Sequence, residues 1–266
     1  MSDSEIEPRQ KPRFNLTVSR QRLVEFAVVV LGVLVALGLE NLIQEVRFRA
    51  DARDLERSFT IEVTAAVFVS LERQGVTPCL IQRLRGLAER VDAATGEMEP
   101  VEAASPIGYR YATPQIYHSP ARVRATTSFD RALGSEAFKR IPTDRAAEYA
   151  TLFALIRTQQ DLNDAEFLAA MGLAPLAYSQ PNMDAEVRAD VLQQISNLDR
   201  HQAVIALASE QIVEAGLSLP LIGKDVRRLI IEEREFLQEY RSGQTALYGE
   251  CYDFTALDRL LTIDAT

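Results

Sequence analysis

One apolar run constrains this chain more than any other feature. Fourteen uncharged residues extend from Phe26 to Leu39, and apolar flanks widen the run to the 21 residues 23–43. A helix needs roughly 20 mostly apolar residues to cross a bilayer, because lipid offers backbone N–H and C=O groups no water to bond. No other stretch of the sequence is both as apolar and as free of charge. The run therefore predicts one transmembrane helix over residues 20–46.

Two other interpretations of this run stay open. Ala36-Leu37-Gly38 has the small-x-small pattern of a signal-peptide cleavage site, and basic residues precede the run. A buried helix of a soluble protein is the other alternative, but residues 28–31 are apolar on every side of a helix. Helical apolar spacing continues through Val46 and Leu55, beyond the cleavage pattern. This continuation favours a retained anchor, whose edge charges Glu25 and Glu40 can stay hydrated at the interface.

The same stretch resembles the opening span of a bacterial family of uncharacterised single-span membrane proteins. Members typically have Glu, an apolar stretch, Gly, an Ala-Leu pair and a polar pair. Here Glu25, Gly32, Ala36-Leu37 and Glu40-Asn41 occupy those positions. The resemblance covers residues 25–41 and implies a membrane location and a helical extramembrane part. It implies no activity.

Charge limits the partners of this chain. Residues 1–22 hold five basic and three acidic residues, whereas residues 23–266 hold 24 basic and 35 acidic residues, a net charge of −11. An acidic body argues against nucleic acid, whose phosphates are neutralised by Lys and Arg, and against a body that lies flat on anionic lipid. The expected partners are the lipid bilayer and other membrane or periplasmic proteins, or a second copy of the chain.

Basic residues and cysteines bear on the compartment. Five basic residues precede the span, and Arg47, Arg49, Arg53 and Arg57 follow it. The slight excess before the span predicts a cytoplasmic N-terminus and a periplasmic body at the bacterial inner membrane. Cys79 and Cys251 lie near the two ends of that body. An even pair in an exported domain is typical of a disulfide, and two separate buried thiols are an equal alternative.

The remainder of the chain predicts an all-α fold. Residues 1–19 form a flexible tail, and residues 47–266 form a helical extramembrane domain. The helix of the anchor continues as a stem over residues 47–74, and Gly75 and Pro78 end it. A second helix begins near Pro78 and closes at Gly96. Later apolar spacings predict further helices in an irregular bundle, over residues 127–138, 149–162 with an extension towards 171, 184–217, 226–240 and 257–261.

A long loop interrupts these helices. Residues 96–125 contain four prolines and the tyrosines Tyr109, Tyr111 and Tyr117, and no helical spacing survives there. Loops of this length inside a compact domain are usually functional or disordered. The aromatic residues favour an ordered loop that presents a partner surface.

Recognisable catalytic chemistry is missing from the sequence. The two histidines, His118 and His201, have no second ligand at metal spacing, and no phosphate-binding loop or nucleophile elbow is present. We therefore assign no catalytic, cofactor or metal residues. The sequence favours a non-catalytic, membrane-anchored helical scaffold, sensor or partner-binding module. The alternative is an accessory subunit of a larger membrane complex, packed through the small residues Gly32 and Ala36. A membrane-bound enzyme with an unrecognised site is a third hypothesis.

Overall fold

The structure is a computed structural model that describes residues 20–102, 116, 117, 119, 120, 122, 125–178 and 180–262. It is almost entirely helical, which confirms the predicted all-α class. By internal contacts the chain divides into two compact units, residues 1–50 and 51–266. The predicted tail, residues 1–19, lies outside the described residues.

The first unit contains the start of helix α1 (Arg20–Ala93). Within the described residues, this is the one helix that alone is long and apolar enough to cross a membrane. Its large apolar side chains from Leu23 to Val46 are exposed. Two later helices pass the same test only as a pair, across a bend of 102°. Ile205 and Ile212 of that pair are fully buried in the second unit, as expected for core residues.

The predicted end of α1 at Gly75 and Pro78 is wrong. The helix continues through both residues to Ala93. A proline inside a helix costs about 3 kcal/mol, and a glycine about 1 kcal/mol, relative to alanine. Burial of neighbours such as Val76 and Leu80 offsets this cost. Residues 47–74 are consequently no separate stem, because from Ala52 onward one face of the helix is buried in the second unit.

The remaining helices follow in chain order. The predicted helix over 127–138 is two short ones, because Gly134 adopts a φ of +83° and Ser135 then caps the second. The predicted helix over 226–240 is also two, and the first begins at Pro220, since a proline is tolerated in the first turn. The bounds are α2 (Thr127–Ala132), α3 (Glu136–Lys139), α4 (Thr143–Met171), α5 (Ala185–Ser218), α6 (Pro220–Glu232), α7 (Arg234–Tyr248) and α8 (Thr255–Thr262).

A small β-pairing accompanies the helices. Strand β1 (Gly96–Met98) pairs antiparallel with β2 (Gln180–Met183), with Gly96 opposite Met183. Gly96 has a φ of +97°, which lets the chain turn from the end of α1 into the strand. No spacing of apolar residues in the sequence predicts these strands.

Two apolar clusters form the core of the second unit. The first cluster gathers around the aromatic rings of Phe59, Phe129, Tyr149 and Phe153, with ring centroids 4.5–5.6 Å apart. In the second cluster, the later part of α1 packs on α5, the β-pairing and the segment after α4. Its most buried members are Val76, Leu80, Leu84, Val91, Met183, Leu173 and Leu198.

A layer of buried polar side chains separates the two clusters along α1, α4 and α5. Each of these side chains is at most 4% exposed, although the helices there are otherwise apolar. We call this set the polar layer: Ser70, Arg73, Gln159, Asn163, Glu166, Gln202 and Ser209.

Gly75 allows the C-terminal segment to pack closely on α1. A Cβ atom on Gly75 would lie 2.5 Å from Cε1 of Tyr252, and the N–H of Asp253 donates to the Gly75 carbonyl at 2.9 Å. Gly86, on the same helix, has open space around the same position. The two glycines therefore allow a comparison of the same substitution at a crowded and at an open position of one helix.

We predict opposite effects of alanine at these two positions. Gly75→Ala should lower the free energy of unfolding by about 1–3 kcal/mol, because the Tyr252 ring must move. Gly86→Ala should raise it by up to about 1 kcal/mol through helix propensity. Urea unfolding of the full-length protein in a neutral detergent measures both. Equal effects of the two substitutions would contradict the close packing of Tyr252 on Gly75.

Candidate ligand-binding pocket

A half-open pocket of about 360 Å³ lies between α1, α7 and the C-terminal segment of the second unit. Pockets that bind small molecules are typically apolar, with a few polar groups that fix orientation. This pocket has that composition. Its apolar walls come from Phe68, Val69, Leu71, Leu237, Phe254 and Leu257, and its polar groups come from Glu72, Arg122, Tyr240, Tyr252 and Asp253.

A carboxylate with both oxygens engaged lies at the wall of the pocket. Glu72 is 5% exposed. Arg122 donates from Nη2 to Oε1 of Glu72 at 2.7 Å and from Nε to Oε2, and Gln244 donates to Oε1 at 3.2 Å. The hydrogen bond to Glu72 raises the pKa of the Arg122 guanidinium. Because the Arg122 side chain is 56% exposed, its charge also remains open to solvent or a ligand.

Two tyrosine hydroxyls add neutral hydrogen-bonding groups. The hydroxyls of Tyr240 and Tyr252 are 2.7 Å apart, and that of Tyr252 donates to the Glu72 carbonyl at 3.4 Å. Burial raises the pKa of Tyr240 to about 12, and burial together with the Tyr240 hydrogen bond raises the pKa of Tyr252 further. Both hydroxyls therefore stay protonated at neutral pH. They can donate and accept hydrogen bonds without carrying charge.

The C-terminal wall of the pocket is attached to α1 at three neighbouring places. Tyr252 packs over Gly75, Asp253 bonds the Gly75 carbonyl, and Cys251 forms a disulfide with Cys79. Cys79 lies four residues beyond Gly75, so all three attachments share one face of the helix. The disulfide joins residues 172 positions apart. It therefore closes a loop that contains most of the second unit.

The polar layer contains a second group of interacting polar side chains. Arg73 and Glu166 form an ion pair in which both side chains are 2% exposed. Arg73 also donates to Gln202 at 3.0 Å, while Tyr117 and Ser119 donate to the Glu166 carboxylate at 2.9 and 2.8 Å. Burial, followed by the Glu166 charge, raises the pKa of the Tyr117 hydroxyl. The layer thus attaches the described end of the long loop to α1, α4 and α5.

The structure places the predicted site residues in different environments. Cys79 and Cys251 come together in the disulfide. Gly32 has no side-chain or backbone neighbour within 4 Å of a Cβ position, so this small residue lies open on the helix. Tyr117 is 3% exposed and hydrogen-bonded, which removes it from the predicted partner surface. Tyr109 and Tyr111 lie outside the described residues.

Sequence reasoning missed the residues of the pocket and of the polar layer. For the polar layer a signal existed, because Ser70 and Arg73 continue the apolar spacing of Phe59, Val63 and Ala66. Polar residues on an apolar stripe indicate a buried network. For the pocket no such signal existed, because Glu72, Arg122 and Tyr240 are distant in the sequence.

Comparisons with protein-family models, with curated proteins and with solved structures found no match. The resemblance of residues 25–41 to a family of single-span membrane proteins stays a prediction. Within the part of the chain that the structure describes, no group of three or more His, Cys, Asp or Glu side chains is placed to hold a metal ion.

We predict that the buried ion pair is sensitive to loss of one partner. Arg73→Met should cost about 3–5 kcal/mol of unfolding free energy, because it leaves the Glu166 charge buried and unpaired. The double variant Arg73→Met/Glu166→Leu should recover part of that loss. Arg157→Met breaks the half-exposed pair with Asp130 and should cost at most about 1 kcal/mol. Urea unfolding measures all three, and equal costs of the two Arg→Met variants would contradict the burial of the Arg73 pair.

We also predict that the disulfide is present in the native membrane. An alkylating reagent added before reduction should label neither Cys79 nor Cys251, and the same reagent added after reduction should label both. The Cys79→Ser/Cys251→Ser variant is the control for background labelling. The free energy of unfolding of this variant should be about 2–5 kcal/mol lower, as is typical when a native disulfide is lost. Two reactive thiols before reduction would contradict the bond.

Proposed function

We propose that the protein is a non-catalytic, membrane-anchored helical module of the bacterial inner membrane that senses a small ligand or binds a partner through its extramembrane domain. The half-open apolar pocket carries this proposal. It combines apolar walls with a small set of polar groups, Glu72, Arg122, Tyr240 and Tyr252. That combination is typical of a site that binds an amphipathic molecule or an inserted side chain.

The proposed compartment rests on two independent features. The exposed apolar start of α1 supports a retained membrane anchor. The disulfide between Cys79 and Cys251 supports an oxidising compartment, since such bonds are rare in the cytosol. Together with the slight excess of basic residues before the span, these features favour a periplasmic body. We propose that the helices of that body form the irregular bundle expected from the sequence.

An accessory subunit of a larger membrane complex is the second candidate. Gly32 and Ala36 are four residues apart, so they share one face of the span, and a Cβ position at Gly32 has open space around it. Small residues at this spacing allow close contact between helices in lipid. On this alternative the main partner is another transmembrane helix, and the pocket plays a lesser part.

A photo-crosslinking experiment tests both candidates at once. A benzophenone analogue of phenylalanine replaces Phe68 in the pocket, Val28 on the Gly32 face of the span, or, as the control, Leu207 of α5, which is 55% exposed and does not line the pocket. Irradiation of living cells followed by mass spectrometry identifies the adducts. We expect a discrete adduct, a small molecule or one protein, from the Phe68 position and not from Leu207.

The other outcomes discriminate between the candidates. A stoichiometric protein adduct from Val28 alone would favour the accessory subunit. Identical products from Phe68 and Leu207 would contradict a ligand or partner at the pocket. Full extraction of the intact chain by alkaline carbonate, without detergent, would contradict the membrane anchor.

A further inference from the structure

The charges around the pocket compensate one another, and this limits what the pocket can bind. Among the described residues that line it, Arg122 is the one basic residue, and Glu72 and Asp253 are the acidic ones. Arg122 meets Glu72 edge to edge, with Nε and Nη2 of the guanidinium on the two carboxylate oxygens. Paired in this way, the two groups contribute no net charge to the pocket.

The other charged groups at the pocket leave no uncompensated charge inside it. Asp253 is exposed, and its carboxylate accepts from the Thr255 N–H at 2.8 Å, at the start of α8. Hydrogen bonds with Thr255 also lower the pKa of the Asp253 carboxyl, so this group stays ionised in contact with water. Arg241, which packs against the Phe254 ring, forms an ion pair with Asp258.

The polar groups of the pocket can still form hydrogen bonds with a ligand. A guanidinium carries five N–H donors, and Arg122 uses two of them on Glu72. Its side chain is 56% exposed, so the other donors are accessible to a bound oxygen atom. The hydroxyls of Tyr240 and Tyr252 lie next to this pair and are un-ionised at neutral pH. The polar end of the pocket therefore offers hydrogen bonds without a net charge.

The rest of the lining is apolar, and its size is limited. Phe68 precedes Glu72 by one turn of α1, and Leu237 precedes Tyr240 by one turn of α7, so on both helices apolar wall adjoins a polar group. The volume of about 360 Å³ holds roughly a dozen non-hydrogen atoms, if each takes about the 30 Å³ that a water occupies in the liquid. A molecule that fills this space is mostly apolar, with its polar end near Arg122.

A charge on that polar end would lower the affinity of the molecule. A carboxylate would share the single guanidinium of Arg122 with Glu72, and an ammonium group would face Arg122 with like charge. Either ion would lose water without gaining an unpaired counter-ion, and a desolvated charge without a partner is costly. A hydroxyl or carbonyl oxygen loses less water and accepts from the same N–H groups.

We propose that the ligand of this pocket is an uncharged amphiphile, with an apolar body between α1 and α7 and a hydroxyl or carbonyl oxygen that accepts a hydrogen bond from Arg122. Glu72 is the residue that determines this specificity, because it neutralises Arg122 and so excludes organic acids. The inference rests on the proposed function, since it names the chemical class of the small ligand in the pocket. It does not depend on the membrane anchor.

Tryptophan fluorescence of the full-length protein, held in an amphipol without free detergent, tests this inference. The chain contains no tryptophan, so Phe68→Trp places a single fluorophore in the pocket. Leu207→Trp, at an exposed position of α5 that does not line the pocket, reports unspecific partitioning. The quenchers are decanol, decanoate and decylamine, each with a bromine atom at the far end of the chain. At neutral pH these molecules have the same length and differ in charge.

We expect the neutral compound to bind most tightly. Brominated decanol should quench Phe68→Trp with at least about tenfold higher affinity than either ion, because a polar group without its partner at a buried site costs about that factor or more. Quenching of Leu207→Trp should show no such preference.

A change at Glu72 should invert the preference. Glu72→Gln keeps an oxygen for Gln244 but leaves the Arg122 charge without its counter-ion. Relative to decanol, decanoate should then bind at least about tenfold more tightly than before the substitution. Glu136→Gln removes an exposed carboxylate that pairs with Lys139 outside the pocket, and it should leave the order of affinities unchanged. A cooperative urea transition shows that each variant folds.

The outcomes separate this inference from the proposed function. Tighter binding of decanoate or decylamine than of decanol would overturn the uncharged class and leave a ligand site at the pocket. An unchanged order of affinities in Glu72→Gln would overturn the role of Glu72. Equal quenching of Phe68→Trp and Leu207→Trp by all three compounds would contradict a small ligand in the pocket, and with it both the inference and the proposed sensing role.

Discussion

The uninterrupted path of α1 through Gly75 and Pro78 is the constraint on which the second unit depends. Because α1 is continuous, two of its faces keep their direction along the whole helix. One face lines the pocket and carries the disulfide, and the other joins the two apolar clusters. Phe68, Glu72, Gly75 and Cys79 follow each other at steps of three and four residues, and they face α7 and the C-terminal segment. A break at residue 75 would place Glu72 and Cys79 on different elements. The pocket and the disulfide would then no longer share one wall.

The other face of α1 joins the two apolar clusters through the polar layer. Arg73, Glu166 and Gln202 come from three different helices. The ion pair and the hydrogen bonds among them form only when α1, α4 and α5 keep this one relative position along their axes. A shift of α4 by one turn would separate the Glu166 carboxylate from Arg73, and a buried charge without its partner is costly. The layer therefore favours a single register, whereas apolar contacts alone tolerate several. Gly216 of α5 also lies close to α1, because a Cβ atom on Gly216 would be 2.6 Å from Cγ2 of Val67. This contact further limits how α1 and α5 can be placed against each other.

Local signals in the sequence predicted part of this arrangement. The apolar run marked the helix that can span a membrane, and Asp184 caps α5 by accepting from two backbone N–H groups at 3.0 Å, as its position predicts. The break at Gly75 and Pro78 was wrong because local propensity favoured it and tertiary burial reversed it. The pocket could not be predicted, because Glu72 and Tyr252 are 180 residues apart and nothing local links them. The partner surface predicted at Tyr117 failed for a related reason, since its buried acceptor Glu166 is 49 residues away.

We propose that the pocket groups act in binding rather than in proton transfer. General acid–base catalysis works best when the pKa of the group lies near the working pH. The pKa of Tyr240 is about 12 and that of Tyr252 is higher still, so both hydroxyls stay un-ionised at neutral pH. Both oxygens of the Glu72 carboxylate accept hydrogen bonds from Arg122. These groups are instead suited to hold the polar end of a bound molecule in a fixed orientation, which agrees with the proposed role as a sensor or partner-binding module.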